Sequence, residues 1–164
     1  MWFEFRSEDL SFLDRARTVH VAEAVATAPR AAVFAAIADA GSWPRWFPNV
    51  RAARYVTPSP HGVGTVREAQ VGSTRWTETM IAWDDRCWAW TVTRASVPFA
   101  AAQVERFAFE DAGGGTRVRW TVALDPRLLA RLGAPLAART IPRLFTRAMQ
   151  NLDAYLVQPG GIRP

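Results

Sequence analysis

Lysine is absent from this chain. All 20 basic side chains among its 164 residues are Arg, set against 15 acidic residues and two His, for a formal charge of +5. No three Arg are consecutive and there is no basic tail, so the charge excess reads as codon bias and solvated surface, and no nucleic-acid partner is expected. Cysteine is nearly absent too. Cys87 stands alone between Arg86 and Trp88 in a strand-like run, which excludes an intrachain disulfide and favours a small packing residue over a nucleophile. No stretch approaches the ~18 apolar residues of a membrane span, so no stable membrane insertion is expected. The first residues are acidic and lack the uninterrupted apolar run, ~7–15 long, of a secretory signal, so a cytoplasmic location is expected. His20 and His61 have no ligand-spaced partner, which argues against zinc. A Gly-x-Ser-x-Gly elbow, a P-loop and a dinucleotide fingerprint are all missing. No metal and no cofactor is therefore expected.

What the chain has in quantity is apolar and aromatic surface: 49% hydrophobic residues, with 8 Trp and 9 Phe but only 2 Tyr. That suits one domain with its own core. Residues 1–17 are irregularly amphipathic (Trp2, Phe3, Phe5, Leu10, Phe12, Leu13) and are expected to pack on the domain or on a second copy, which leaves a homodimer open. Residues 18–26 alternate as a strand. Pro29 suits a first helical turn, Val33, Phe34, Ile37 and Ala38 form a helical stripe, and Gly41 is placed to stop it. Ser42 can cap a second short helix through Trp43-Pro44-Arg45-Trp46-Phe47.

From 50 to 124 the chain reads as a meander. Strands are expected near 50–57, 63–72, 74–83, 86–95, 102–111 and 115–124, parted by turn residues such as Gly72-Ser73 and Gly113-Gly114-Gly115. Without helical crossovers the sheet is antiparallel. A helix over about 135–157 places Ile141, Phe145, Ala148, Leu152 and Leu156 on one stripe and Arg139, Arg143 and Arg147 on the opposite one. Pro142 either starts or kinks it. A tail over 158–164 is expected to be flexible. Seven strands need a cover on one face, and only the last helix is long enough. Space between a curved sheet and that helix is where a ligand would go.

The order of elements and a set of short motifs resemble the START-like, or helix-grip (SRPBCC), superfamily, in particular its polyketide cyclase/dehydrase and lipid-transport group. The motifs are Ala28-Pro29…Val33-Phe34…Ile37-Ala38-Asp39, Trp43-Pro44-Arg45-Trp46, Gly62-Val63-Gly64-Thr65, Glu78 followed by Met80-Ile81, and Gly115-Thr116-Arg117-Val118-Arg119-Trp120. The resemblance spans about 18–157. It implies an α+β helix-grip fold: a seven-stranded curved antiparallel sheet around a long C-terminal helix, with two short helices between the first two strands. Ser42-Trp43-Pro44 and Val97-Pro98-Phe99-Ala100 are also similar to stretches of bacterial aromatase/cyclases, which close rings in poly-β-keto chains. That similarity implies a catalytic role for Arg67, the matching position.

Period-two alternation assigns strand faces. Trp120 and its alternates face the helix, as do Phe107 with Glu105 and Gln103, and Trp88 and Trp90, whose parity continues to Arg94. Trp76, Glu78 and Met80 form the inward set of their strand. The expected ligand-contacting residues are therefore Arg67, Trp76, Glu78, Trp88, Trp90, Arg94, Gln103, Glu105, Phe107 and Trp120 from the sheet and Phe145 and Met149 from the helix. Arg67 and Glu105 are the catalytic candidates, and Glu105 is expected to pair with an Arg because a buried charge needs a partner. The expected function is binding or carriage of a hydrophobic small molecule such as a lipid, a polyketide or an aromatic ring compound. The alternatives are an aromatase/cyclase closing an aldol ring, and an interaction module that uses residues 1–17 and the Arg face.

Overall fold

The computed structural model describes residues 1–157, with backbone only at 129, 131, 132 and 134; the tail expected at 158–164 lies outside the described residues. Strand β2 (Thr18–Ala26) is followed by helices α2 (Arg30–Ala38) and α3 (Trp43–Trp46), the latter entered through a 3-10 turn, Ala40–Ser42. The meander then runs β3 (Val50–Tyr55), β4 (Val66–Val71), β5 (Thr74–Trp83), β6 (Cys87–Ala95), β7 (Ala100–Ala112) and β8 (Gly115–Pro126). A 3-10 segment, Leu128–Gly133, leads into the long helix α4 (Ala134–Leu156), which carries Pro142 inside it. Ahead of all this lie β1 (Phe3–Glu4) and the single-turn helix α1 (Phe12–Arg15).

The sheet is antiparallel throughout, in the order β2-β8-β7-β6-β5-β4-β3. The helix-grip architecture is thus present, with one strand more than expected: β1 adds to the end of β6 through Phe3↔Ala95 and Glu4↔Arg94. Local chemistry explains the joints. Gly113 and Gly114 both take positive φ (57° and 102°), which L side chains avoid and a tight hairpin needs. At Gly115 a Cβ would meet the Ala26 carbonyl oxygen at 2.3 Å, so only glycine lets β2 close on β8.

Two details of the helical segment differ from expectation. The α2 helix ends at Ala38 with extended Asp39, whose carboxylate accepts from the Gly41 N–H, so Gly41 belongs to the 3-10 turn and not to the helix stop. Ser42 occupies the N-cap position of α3 without capping it. Its hydroxyl donates to the Ala36 carbonyl and accepts from Trp46 Nε1, which locks α3 onto α2 instead.

Alternation places Trp88, Trp90, Phe107, Phe109, Val118, Trp120 and Val122 on the concave side, under Phe145, Ala148, Met149 and Leu152 of α4. The convex side has its own small cluster, in which Phe12 is buried on Ala102, Val104 and Ala123 with Leu13, Ala16 and Ile81 alongside. Residues 1–17 form a strap across that face. It is anchored by hydrogen bonds from Phe5 N–H to Thr93 and from Arg6 N–H to Ala101, and by Glu8, which pairs with both Arg6 and Arg15.

Candidate functional site

The concave space is mostly filled by aromatic side chains, and two cavities remain among the described residues. The inner cavity, about 150 Å³, is bounded by Trp76, Trp90 and Trp120 from the sheet, Trp43 and Phe47 around α3, and Leu144 of α4. Its polar lining is confined to Arg67, Glu78 and Glu105. A second cavity, about 360 Å³, lies under the start of α4, against Phe99, Gln103, Val122, Leu124, Ala130, Ala137 and Ile141, with Thr18 and His20 at its side. Burial pushes the His20 imidazole below its ordinary pKa, so it stands neutral at pH 7. Gln103 lines the outer cavity and Glu105 the inner one, and a hydrogen bond joins the two side chains. Phe99 of the outer wall touches Trp76 of the inner wall, with ring centroids 5.1 Å apart.

Glu105 is held at both oxygens. Gln103 Nε2 donates to one at 2.6 Å and Trp120 Nε1 to the other at 2.8 Å. Burial, reinforced by the negative charge of Glu78, pushes its carboxyl up to about 7 against the opposing pull of those two hydrogen bonds and of Arg67. It therefore exchanges a proton near neutral pH. The Arg partner expected for Glu105 belongs to Glu78 instead: Arg67 Nε donates to it at 2.6 Å, with both side chains almost wholly buried. The difference follows from register. Arg67 and Glu78 are direct cross-strand partners between β4 and β5, whereas Glu105 sits opposite Trp90 and Val122.

The Arg67 guanidinium is boxed by three indoles, its carbon lying 4.6 Å from the ring centroids of Trp43 and Trp90 and 4.9 Å from that of Trp88. Such contacts replace part of the hydration a buried cation loses. Hydrogen-bonding capacity is left over. Arg67 Nη1, Trp76 Nε1 and Trp90 Nε1 are buried N–H donors on cavity-lining residues without a partner among the described residues. Orphaned buried donors are uncommon and ask for an acceptor.

The structure brings together Arg67, Trp76, Glu78, Trp90, Glu105 and Trp120 on one cavity, with Gln103 at its border. Trp88, Phe107, Phe145 and Met149 are buried behind that lining: Phe107 stacks on Trp90 and Trp120, and Phe145 packs on Trp120. Arg94 is elsewhere. A β-bulge places Thr77 opposite Arg94 but Glu78 opposite Val92, so Thr93 is an extra residue and parity inverts beyond it. Ala95 takes the inward position, while Arg94 bonds Thr77 Oγ1 and lies over the Trp2 ring on the convex side. Cys87 is half-buried, and burial raises its thiol pKa, as suits a packing residue. Sequence reading missed Trp43, Phe47, Val50, Ala53, Ala69, Val71 and Leu144. Ala69 and Val71 share the parity of Arg67 and could have been found that way.

A family model described as polyketide cyclase/dehydrase and lipid transport matches residues 17–157. An uncharacterized protein of Mycobacterium tuberculosis is 29% identical over 125 residues, 75% of each chain. Among solved structures, a START superfamily protein from Mycobacterium smegmatis superposes with a TM-score of 0.68 at 10% identity, covering 83% of this chain and 94% of that one. The Zhui aromatase/cyclase from Streptomyces sp. R1128 superposes with a TM-score of 0.66 at 16% identity, covering 88% and 98%. At these identities the structural likeness speaks for the fold alone.

Proposed function

The chain belongs to the polyketide cyclase/dehydrase and lipid-transport family, and on that footing we propose that it binds a hydrophobic, ring-bearing small molecule between the sheet and α4, as a carrier or binding protein. The observation that carries this is an apolar, aromatic-walled cavity on which three buried donors, Arg67 Nη1, Trp76 Nε1 and Trp90 Nε1, have no partner among the described residues. Size narrows the ligand. An apolar cavity of ~150 Å³ holds a benzene-sized ring, and drug-sized ligands need roughly 300–1,000 Å³. The inner cavity therefore takes one ring bearing a carbonyl or hydroxyl, and the rest of the molecule runs past Gln103 and Phe99 into the outer cavity.

Native mass spectrometry of the purified chain, followed by solvent extraction, tests this directly. A co-purifying small molecule is expected, or failing that a saturable quench of Trp fluorescence by phenols or naphthols that weakens in Glu105→Gln. Bare protein together with no saturable quench overturns the proposal.

One arrangement favours a second reading, aldol ring closure on a poly-β-keto chain: Glu105, whose carboxyl burial pushes up to about 7, lines the same cavity as the unpartnered Arg67 Nη1. Ionised Glu105 takes the proton from a carbon flanked by two carbonyls, and the electron pair moves onto an enolate oxygen placed against the free Arg67 Nη1. The enolate carbon attacks a second carbonyl, and protonated Glu105 returns its proton to the new alkoxide. Loss of the general base removes ~10²–10⁴-fold in rate. In assays of ring-closure regiochemistry, Glu105→Gln is then expected to give only the uncatalysed product mixture, even at ligand concentrations that saturate its weakened binding. Product ratios identical to those of the unmodified chain exclude this reading.

A further inference from the structure

The charge of this protein is not spread over it. From Arg127 to Leu152 the chain carries five Arg and no Asp or Glu; the other 15 Arg are matched by the chain's 15 acidic residues, so the whole formal charge of +5 resides in this stretch. The stretch comprises the 3-10 segment and most of α4. Arg139, Arg143 and Arg147 are exposed along α4, and among the described residues none of them forms an ion pair. Leu136 lies on the same helical face at its N-terminal end and is 66% exposed, and Leu128 of the 3-10 segment is 76% exposed. At ~1.5 Å rise per residue, Arg139 and Arg143 stand ~4.5 and ~10.5 Å along the axis from Leu136. The inner side of the same stretch, Ala130, Ala137 and Ile141, roofs the outer cavity.

We propose that this end of the molecule docks peripherally on an anionic phospholipid bilayer, with Leu128 and Leu136 entering the acyl boundary and the Arg row lying among the phosphates. Two exposed leucines in a stretch that carries five Arg and no Asp or Glu match that surface in both polarity and sign. Nucleic acid would be served by the Arg row but gives the leucines nothing to do. Docking presents the roof of the outer cavity to the bilayer, where an apolar molecule can pass without crossing water. The docking stands on charge and exposure alone; only its use for ligand transfer rests on the function proposed above.

Co-sedimentation of the full chain, with no ligand added, separates these outcomes. Vesicles of phosphatidylcholine are compared with vesicles that also contain phosphatidylglycerol, at low and at physiological salt. Binding is expected on the anionic vesicles only, weakening as salt rises. Arg139→Ala and Arg143→Ala are each expected to lower the partition coefficient about fivefold, and together about 25-fold, at roughly one unit of headgroup attraction per Arg. Leu128→Ser/Leu136→Ser is expected to lower it while leaving the salt slope unchanged, and unchanged melting curves show that these exposed variants fold. Equal partition onto neutral vesicles, no sedimentation with either, or an Arg pair variant that binds like the original chain overturns the proposal. So does a DNA duplex that binds more tightly than the vesicles and is indifferent to the leucine changes. None of these outcomes depends on whether the cavities hold a ligand.

Discussion

Two ion-pair networks lie on opposite faces of one sheet, and they do opposite work. On the concave side, Arg67 and Glu78 are almost completely removed from water, caged by indoles, and surrounded by donors without partners. On the convex side, Glu8 is shared by Arg6 and Arg15, with Asp125 completing the set, and both arginines are half in solvent. The Glu8 side chain is itself largely covered, but a network whose cations stand in solvent is screened and contributes little per pair, so it serves as a fastening for the strap. A buried pair is hardly favourable in net terms, because desolvation opposes the attraction between the charges. Its retention beside the cavity accords with the ligand binding proposed above. Proximity to Glu78 also helps hold Glu105 partly protonated, which no group on the outer face could do.

The largest effect should come from breaking the inner pair on one side. Arg67→Ala strands a buried carboxylate and is expected to lower unfolding stability by ~3–5 kcal/mol in urea titrations, whereas the double change Arg67→Met/Glu78→Leu is expected to recover most of it. Equal losses in the single and double variants would mean that the cage, not the charge, matters. Next comes the apolar anchor outside. Phe12→Ala is expected to lose ~3 kcal/mol, the low end for a buried Phe because the strap can lift, with faster proteolysis before residue 17 as the second readout.

The pH dependence of Glu105 is of the same order and has a definite sign. Its native carboxyl is raised from an ordinary value of 4.5 to about 7, so its contribution to stability is complete below 4.5 and fades as pH rises through 7. The loss is expected to be ~3 kcal/mol, and Glu105→Gln is expected to flatten that part of a melting-temperature profile against pH. The smallest effect belongs to the outer network: Arg6→Ala should leave the urea midpoint nearly unchanged, and wholly so at high salt. A large shift there would erase the contrast between the faces.

The fold was legible because its signals are redundant. Turn glycines, period-two alternation and a two-faced terminal helix agree with one another from Thr18 to Leu156, and an error of one residue at a strand end changes nothing. The site was legible only where alternation ran unbroken. Trp76, Glu78, Trp90, Glu105 and Trp120 followed from parity. Arg94 did not, since one unpaired residue at Thr93 reverses the faces and no local sequence signal marks it. Partner choice was illegible for a different reason. Which carboxylate meets Arg67 depends on the β4–β5 register, and alternation fixes faces but not register. Trp43 and Phe47 sit on a helix of a single turn, too short to show a period, and their place on the cavity wall depends on how α3 docks through Ser42 and Trp46.

The pairing of β2 with β8 joins the beginning of the domain to its end, from Thr18↔Leu124 to Ala26↔Thr116. During synthesis β2 has no strand to pair with until roughly a hundred further residues have been made, and α4, which covers the cavity, emerges later still. Such long-range closure is slow, and it leaves the backbone N–H and C=O groups of β2 without ladder partners while they wait. The arrangement also has a benefit. A cavity roofed by α4 exists only once α4 has been made, so a product truncated ahead of it would have an open sheet and no enclosed space.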